Sequence, residues 1–166
     1  MQQFYAMNKA RNLEEFKEAI SLTNIPNHNI LYADKMGNIY YTYNSKMPVR
    51  DRNLNWTETI DGSLENSLWQ GFHDVEELPF LENPEIGYIQ NCNSSPFFLT
   101  SGENPNPNDF PSYMTTYELE SERSERSKNI LDTLQTISIS TLEKAITDTY
   151  VHRSSKVLPK LFEEFE

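Results

Sequence analysis

The segment from Asn29 to Tyr43 constrains this chain more than any other. Two runs, NILYAD (29–34) and NIYYTY (38–43), are dense in aromatic and β-branched residues, and Lys35-Met36-Gly37 separates them. Such residues suit a pleated, half-buried surface, and a glycine supplies the positive φ that a short reversal needs. The pattern predicts a β-hairpin. Two strands alone are barely stable in water, so the rest of the chain must cover them.

Residues 1–20 read as helical. Asn12 with Glu15 three residues on is a capping-box pattern, and Leu13, Phe16 and Ile20 follow at helical spacing. Pro26 and its neighbouring asparagines end that stretch. Residues 44–85 read as loops, pinned by Trp56, Trp69, Phe72 and Phe80 and punctuated by Pro48, Pro79 and Pro84. A short strand is expected at Gly87 to Asn91, in one sheet with the hairpin and with helices on one side. Residues 101–111 (SGENPNPNDFP) read as loop. Helices are expected over Tyr117 to Leu134, after a second capping-box pattern at Ser140 and Glu143, and over Ser154 to Phe165 with Pro159 inside. The fold class is α+β. The organisation is one segment with a helical lead-in (1–28), a hairpin, loops and strand (29–96), and a loop followed by helices (97–166).

Apolar residues form only 37% of the 166, but nine Tyr, nine Phe and two Trp bury enough area each to build a core. Net charge is −11, from 14 basic and 25 acidic residues, which argues against nucleic acid and against an anionic membrane surface as partners. No apolar window approaches a membrane span. The opening MQQFYAMNKARN lacks the apolar stretch of a signal peptide, and nothing in the sequence fixes a compartment. One cysteine, Cys92, permits no intrachain disulfide and reads as a packing residue. His28, His73 and His152 have no ligand spacing and read as surface or loop histidines. Glu76-Glu77 and Glu163-Glu164 read as solvated pairs. There is no HExxH, no glycine-rich phosphate loop and no GxSxG elbow. No cofactor is implied.

Several blocks in order carry a resemblance. They are Asn29 to Tyr41 (NILYADKMGNIYY), Pro48-Val49-Arg50, Trp69-Gln70-Gly71, Leu78-Pro79, and Asn83-Pro84 running on to GYIQNCNSSP (87–96). Asp109-Phe110-Pro111 and Arg123 follow. Together they resemble the penicillin acylase and acyl-homoserine-lactone acylase family over nearly the whole chain, corresponding to the middle of its larger (beta) chain. Cys92 among small polar residues resembles the lactone-acylase branch more than penicillin G acylase.

That resemblance implies a fragment of an N-terminal-nucleophile hydrolase, an αββα sandwich that cleaves amides of small acylated substrates through an acyl-enzyme. The family's nucleophile is a serine whose own α-amine acts as base. By the resemblance it lies upstream of Met1, so this piece is expected to be inactive alone. Its implied partners are the rest of the acylase precursor: the alpha chain and the N-terminal part of the beta chain. The resemblance matches Asn93 to an oxyanion donor and Arg123 to a residue supporting the site. On local sequence alone Asn93, before Ser94-Ser95-Pro96, is an ordinary turn residue, and Arg123, near Glu122 and Glu125, is a solvated helix charge. Asn91 is a rival for the Asn93 role if the register slips by two. Some family members bind calcium through a carboxylate where this chain has Met114, so no metal is expected. The other function class is a non-enzymatic binding or assembly module that uses the aromatic loops 56–80.

Overall fold

The hairpin forms where the residues demand it. In a computed structural model that describes residues 1–26, 28–43, 46–114 and 120–165, β1 (Asn29–Ala33) pairs antiparallel with β2 (Ile39–Tyr43), with Leu31 opposite Tyr41 and Tyr32 opposite Tyr40. Asp34 closes the turn. Its carboxylate accepts the N–H groups of Met36 (2.8 Å) and Asn38 (3.1 Å), the Asn38 side-chain amide and the Tyr32 hydroxyl. These bonds hold the Asp34 carboxyl below the usual carboxylate range, the Asn38 amide contributing most. Gly37, at φ +91°, takes the left-handed position.

The third strand is not the expected one. β3 is Phe80–Glu82, antiparallel to β2 with Tyr41 opposite Leu81, giving the order β1-β2-β3. Asn83 extends the pairing, since its N–H donates to the Ile39 carbonyl and its side-chain oxygen accepts the Ile39 N–H. The Gly87 to Asn91 segment joins no strand. Its described backbone bond to another segment runs from the Gln90 N–H to the Leu99 carbonyl, so a strand-like sequence lies against a loop rather than a ladder.

The N-terminal stretch is two helices, not one. α1 (Gln2–Lys9) ends where Ala10 turns to an extended conformation, and α2 (Leu13–Ile20) starts at Asn12. The Asn12 side chain accepts the Glu15 N–H at 2.9 Å, as the pattern predicts. The Glu15 carboxylate reaches one residue further back, to the Arg11 N–H at 2.9 Å and the Arg11 guanidinium. An N-cap inside residues 1–20 marks a helix start, which is why the stretch divides.

α2 buries Leu13, Phe16 and Ile20 against Ile30 and Tyr40 of the sheet, with Met47, Val75, Leu78 and Met114 completing the cluster. The Phe16 and Tyr32 rings meet at 4.7 Å. Lys17 crosses from α2 to Glu82 of β3 at 2.7 Å. The loops that follow are held on this core by Met47, Val75 and the fully buried Leu78 rather than by the expected rings. Trp69, Phe72 and Phe80 are exposed, Phe80 lies in β3, and Pro48 bridges to Phe72.

Three helices follow: α3 (Glu122–Thr133), α4 (Ile139–Ile146) and α5 (His152–Glu163), the last with Pro159 inside. The expected helix start at Tyr117 falls outside the described residues, as do 118 and 119. α4 is capped two residues earlier than the sequence pattern indicates. Ser138, not Ser140, accepts the Thr141 N–H, and the Thr141 hydroxyl accepts the Ser138 N–H at 2.8 Å. A threonine here takes the place that Glu143 was expected to fill. α5 packs on α3 through Glu125, which bonds His152 at 2.8 Å and also Lys156. The arrangement is a small antiparallel sheet with helices, α+β as expected, and the described residues form one three-stranded sheet.

Candidate functional site

The segment 88–101 is fastened along α3 by side chains spaced over the helix. At its start, Ser121 caps α3 by accepting the Ser124 N–H, and its hydroxyl lies 3.1 Å from that of Ser94. Ser124, fully buried, accepts a bond from the Gln90 side-chain amide at 2.8 Å, and the same amide donates to the Phe98 carbonyl at 2.6 Å. At the far end, Asp132 accepts bonds from Tyr88 and Ser101, each at 2.7 Å. Burial raises the Tyr88 phenol above its ordinary range, and its bond to Asp132 acts in the same direction.

The turn carrying Asn91, Cys92 and Asn93 sits over the first turn of α3. Asn93 adopts φ +61°, left-handed for a residue other than glycine. Arg123, the second residue of α3, donates from one nitrogen, Nη2, to the Cys92 carbonyl at 3.0 Å and to the Asn93 side-chain oxygen at 3.3 Å. Arg123 and Asn93 are both exposed, yet the two sequence-predicted site residues are in direct contact. Arg123 is an exposed helix charge, as the local sequence reads, and it also clamps the turn.

This contact settles which end of the Asn93 amide faces outward. With Oδ1 against a guanidinium, Nδ2 is the free end. The flipped amide would set donor against donor. Nδ2 makes none of the described hydrogen bonds. A guanidinium bond to Oδ1 also polarises the amide and strengthens its N–H as a donor. The positive end of the α3 dipole lies under the same turn, held there by the Ser94–Ser121 contact.

Asn91 differs. Its Oδ1 accepts the Asn93 N–H at 3.0 Å and its Nδ2 donates to the Ser94 carbonyl at 3.2 Å, so both polar ends are turned inward. Cys92 is half-buried and unpaired. Beside it opens a cleft of about 590 Å³ between Ile89, Cys92 and Arg123 on one side and Leu142 and Ile146 of α4 on the other.

A donor and its clamp are present, but no nucleophile with a base in reach stands beside Asn93 among the described residues. The neighbouring Ser94 is 3% exposed, with its hydroxyl held against Ser121. Nor do the described residues place three His, Cys, Asp or Glu side chains together as a metal site. Met114 is buried in the core cluster. No helix among them is long and apolar enough to cross a membrane.

The histidines correct two expectations. His152 lies in α5 with its ring largely covered against Glu125. His73 is buried, not on the surface. Its Nδ1 meets the Glu77 carboxylate and its Nε2 the Tyr113 hydroxyl, each at 2.9 Å. Glu77 sits in a short 3₁₀ turn (Val75–Glu77), and the His73 bond holds its carboxyl below the ordinary range. The i, i+4 spacing of His73 and Glu77 was visible in the sequence; Tyr113, 40 residues on, was not. His28 contacts the Pro26 carbonyl, and His152 is the first residue of α5.

The penicillin amidase family model matches residues 1–166. Among solved structures, the thermostable penicillin G acylase from Alcaligenes faecalis is similar in fold, with a TM-score of 0.63 and 24% sequence identity. The match covers 87% of this chain and 25% of that one, so the chain spans about a quarter of that acylase chain's length.

Proposed function

The chain belongs to the penicillin amidase family, and we propose that it is part of an amidohydrolase in which Asn93 donates a hydrogen bond from Nδ2 to the oxyanion of the tetrahedral intermediate. The observation that carries this reading is the Arg123 contact with Asn93 Oδ1, which leaves the donor end of the amide outward. A neutral amide donor does not titrate, so it serves at any pH the nucleophile tolerates. Attack on an amide carbonyl moves a full negative charge onto its oxygen. A fixed N–H aimed at that charge stabilises the transition state more than the ground state.

The nucleophile and its base come from another part of the acylase. A serine hydroxyl with a free α-amine fits, since it needs no further side chain from this segment. Arg123 is a positioning residue, touching Asn93 rather than the reacting atoms. The substrates are amides joining an acyl chain to a small amine, of the penicillin or acyl-homoserine-lactone kind. Cys92 among small polar residues supports the latter through its resemblance to the lactone-acylase branch.

The second reading, a non-enzymatic assembly module, draws on a different feature. Arg50 lies between the Trp56 ring (5.1 Å) and the Trp69 ring (5.8 Å), and Trp69, 59% exposed, meets Phe72 edge-on at 6.4 Å. Such an exposed ladder suits a protein contact.

The deciding experiment measures release of free amine from a penicillin-type amide and from an acyl-homoserine lactone. It compares the acylase that contains this chain with the chain by itself. Hydrolysis by the assembled protein and none by the isolated chain is the expected result. Hydrolysis by the isolated chain refutes the division of the site, and none by the assembly favours the module.

A further inference from the structure

We propose that Asn91 is a positioning residue that fixes Asn93 in its donor conformation. This rests on the reading of Asn93 as oxyanion donor. Three contacts define the turn. Asn91 Oδ1 accepts the Asn93 N–H at 3.0 Å, Asn91 Nδ2 donates to the Ser94 carbonyl at 3.2 Å, and Arg123 donates to the Cys92 carbonyl at 3.0 Å. The peptide unit between Cys92 and Asn93 is therefore held at both ends, its carbonyl by Arg123 and its N–H by Asn91. A peptide is planar, so fixing two opposite atoms fixes its plane.

The consequence falls on Asn93. Its φ of +61° lies in the left-handed region, which asparagine tolerates better than most residues but which still costs more than negative φ unless local contacts hold it. Asn91 supplies such contacts on both flanks, at the N–H of Asn93 and at the carbonyl of the residue after it. With the backbone set and Oδ1 held by Arg123, the direction of Nδ2 is determined. Without Asn91, the Asn93 N–H loses its acceptor and the backbone can relax toward negative φ, carrying Nδ2 away from its aim. Oxyanion donors act through fixed placement, so a small displacement lowers turnover without removing the donor. Asn91 cannot itself replace Asn93, because both its polar ends are committed to the turn.

The test is a double-mutant cycle on amide hydrolysis by the acylase containing this chain, with kcat and KM measured separately. Asn91→Ala is expected to lower kcat on the order of 10-fold with KM within about 3-fold, the size of one lost hydrogen bond. Asn91→Asp, which keeps the acceptor for the Asn93 N–H but loses the donor to the Ser94 carbonyl, recovers only part of that loss. On an Asn93→Ala background, Asn91→Ala has no further effect on kcat, because the group it positions is gone. Equal losses on both backgrounds mean a general structural role and overturn the proposal. So does wild-type kcat in Asn91→Ala while Asn93→Ala is impaired. Full activity in Asn93→Ala refutes the donor reading itself, whatever Asn91 does.

Discussion

Replacing Arg123 with methionine keeps much of the side-chain volume and removes the clamp. Two hydrogen bonds vanish, at 3.0 Å to the Cys92 carbonyl and 3.3 Å to Asn93 Oδ1, both from the same Nη2. Bonds to a charged donor contribute about 1.5–3 kcal/mol when sheltered, and the shared nitrogen and solvent exposure reduce this to about 1–2 kcal/mol for the pair. If that energy orients the donor in the transition state, kcat falls by about 5- to 30-fold. The positioning role predicts little change in KM, although Arg123 also lines the cleft beside Cys92. Arg123→Lys should lie between, since one ammonium cannot reproduce a planar fork. The assay is steady-state amide hydrolysis by the acylase containing this chain. Unchanged kcat in Arg123→Met would mean the clamp is idle. A loss larger than that of Asn93→Ala would mean Arg123 acts on the substrate directly and that the positioning role is wrong.

Two further expectations concern the scaffold. Leu78 is fully buried at the centre of the cluster between α2 and the sheet, so Leu78→Ala should cost about 2–5 kcal/mol in urea unfolding; a cost below about 1 kcal/mol would mean the aromatic loops are not packed on that core. Glu125 is held below its ordinary range by Lys156 and then His152, so its contribution is complete above the unfolded carboxylate pKa and is lost as pH falls through the lower folded value. Amide exchange in α5 should therefore accelerate below about pH 4, ahead of exchange in the hairpin; α5 protection that outlasts the hairpin in acid would contradict the role of Glu125.

Local chemistry made the hairpin, the Asn12 cap and the last helices legible. Asp34 and Gly37 act within five residues of each other, and Asn12 and Glu15 within four. Misreadings arose where the partner is distant. A strand needs a neighbour, and Gly87 to Asn91 has strand composition but lies against Leu99, whereas Phe80–Glu82, beside Pro79, finds β2. The α4 cap shifted because two serines stood two residues apart, and Thr141 answered the first rather than Glu143 the second. For the site, residue identity suggested Asn93 and Arg123 through a family resemblance alone. No spacing rule relates positions 93 and 123, and their contact exists because α3 runs beneath the turn. The inward commitment of Asn91 was equally invisible, as it depends on the left-handed backbone at Asn93.

The central claim is that Asn93 Nδ2 stabilises the oxyanion, and kcat of Asn93→Ala tests it most directly. The variant removes the donor from an exposed turn residue, so the folded state should persist, as checked by its thermal midpoint. The account predicts that kcat for amide hydrolysis falls about 10²- to 10³-fold while KM stays close to wild type. Turnover like that of the wild type, in a folded protein, would contradict it.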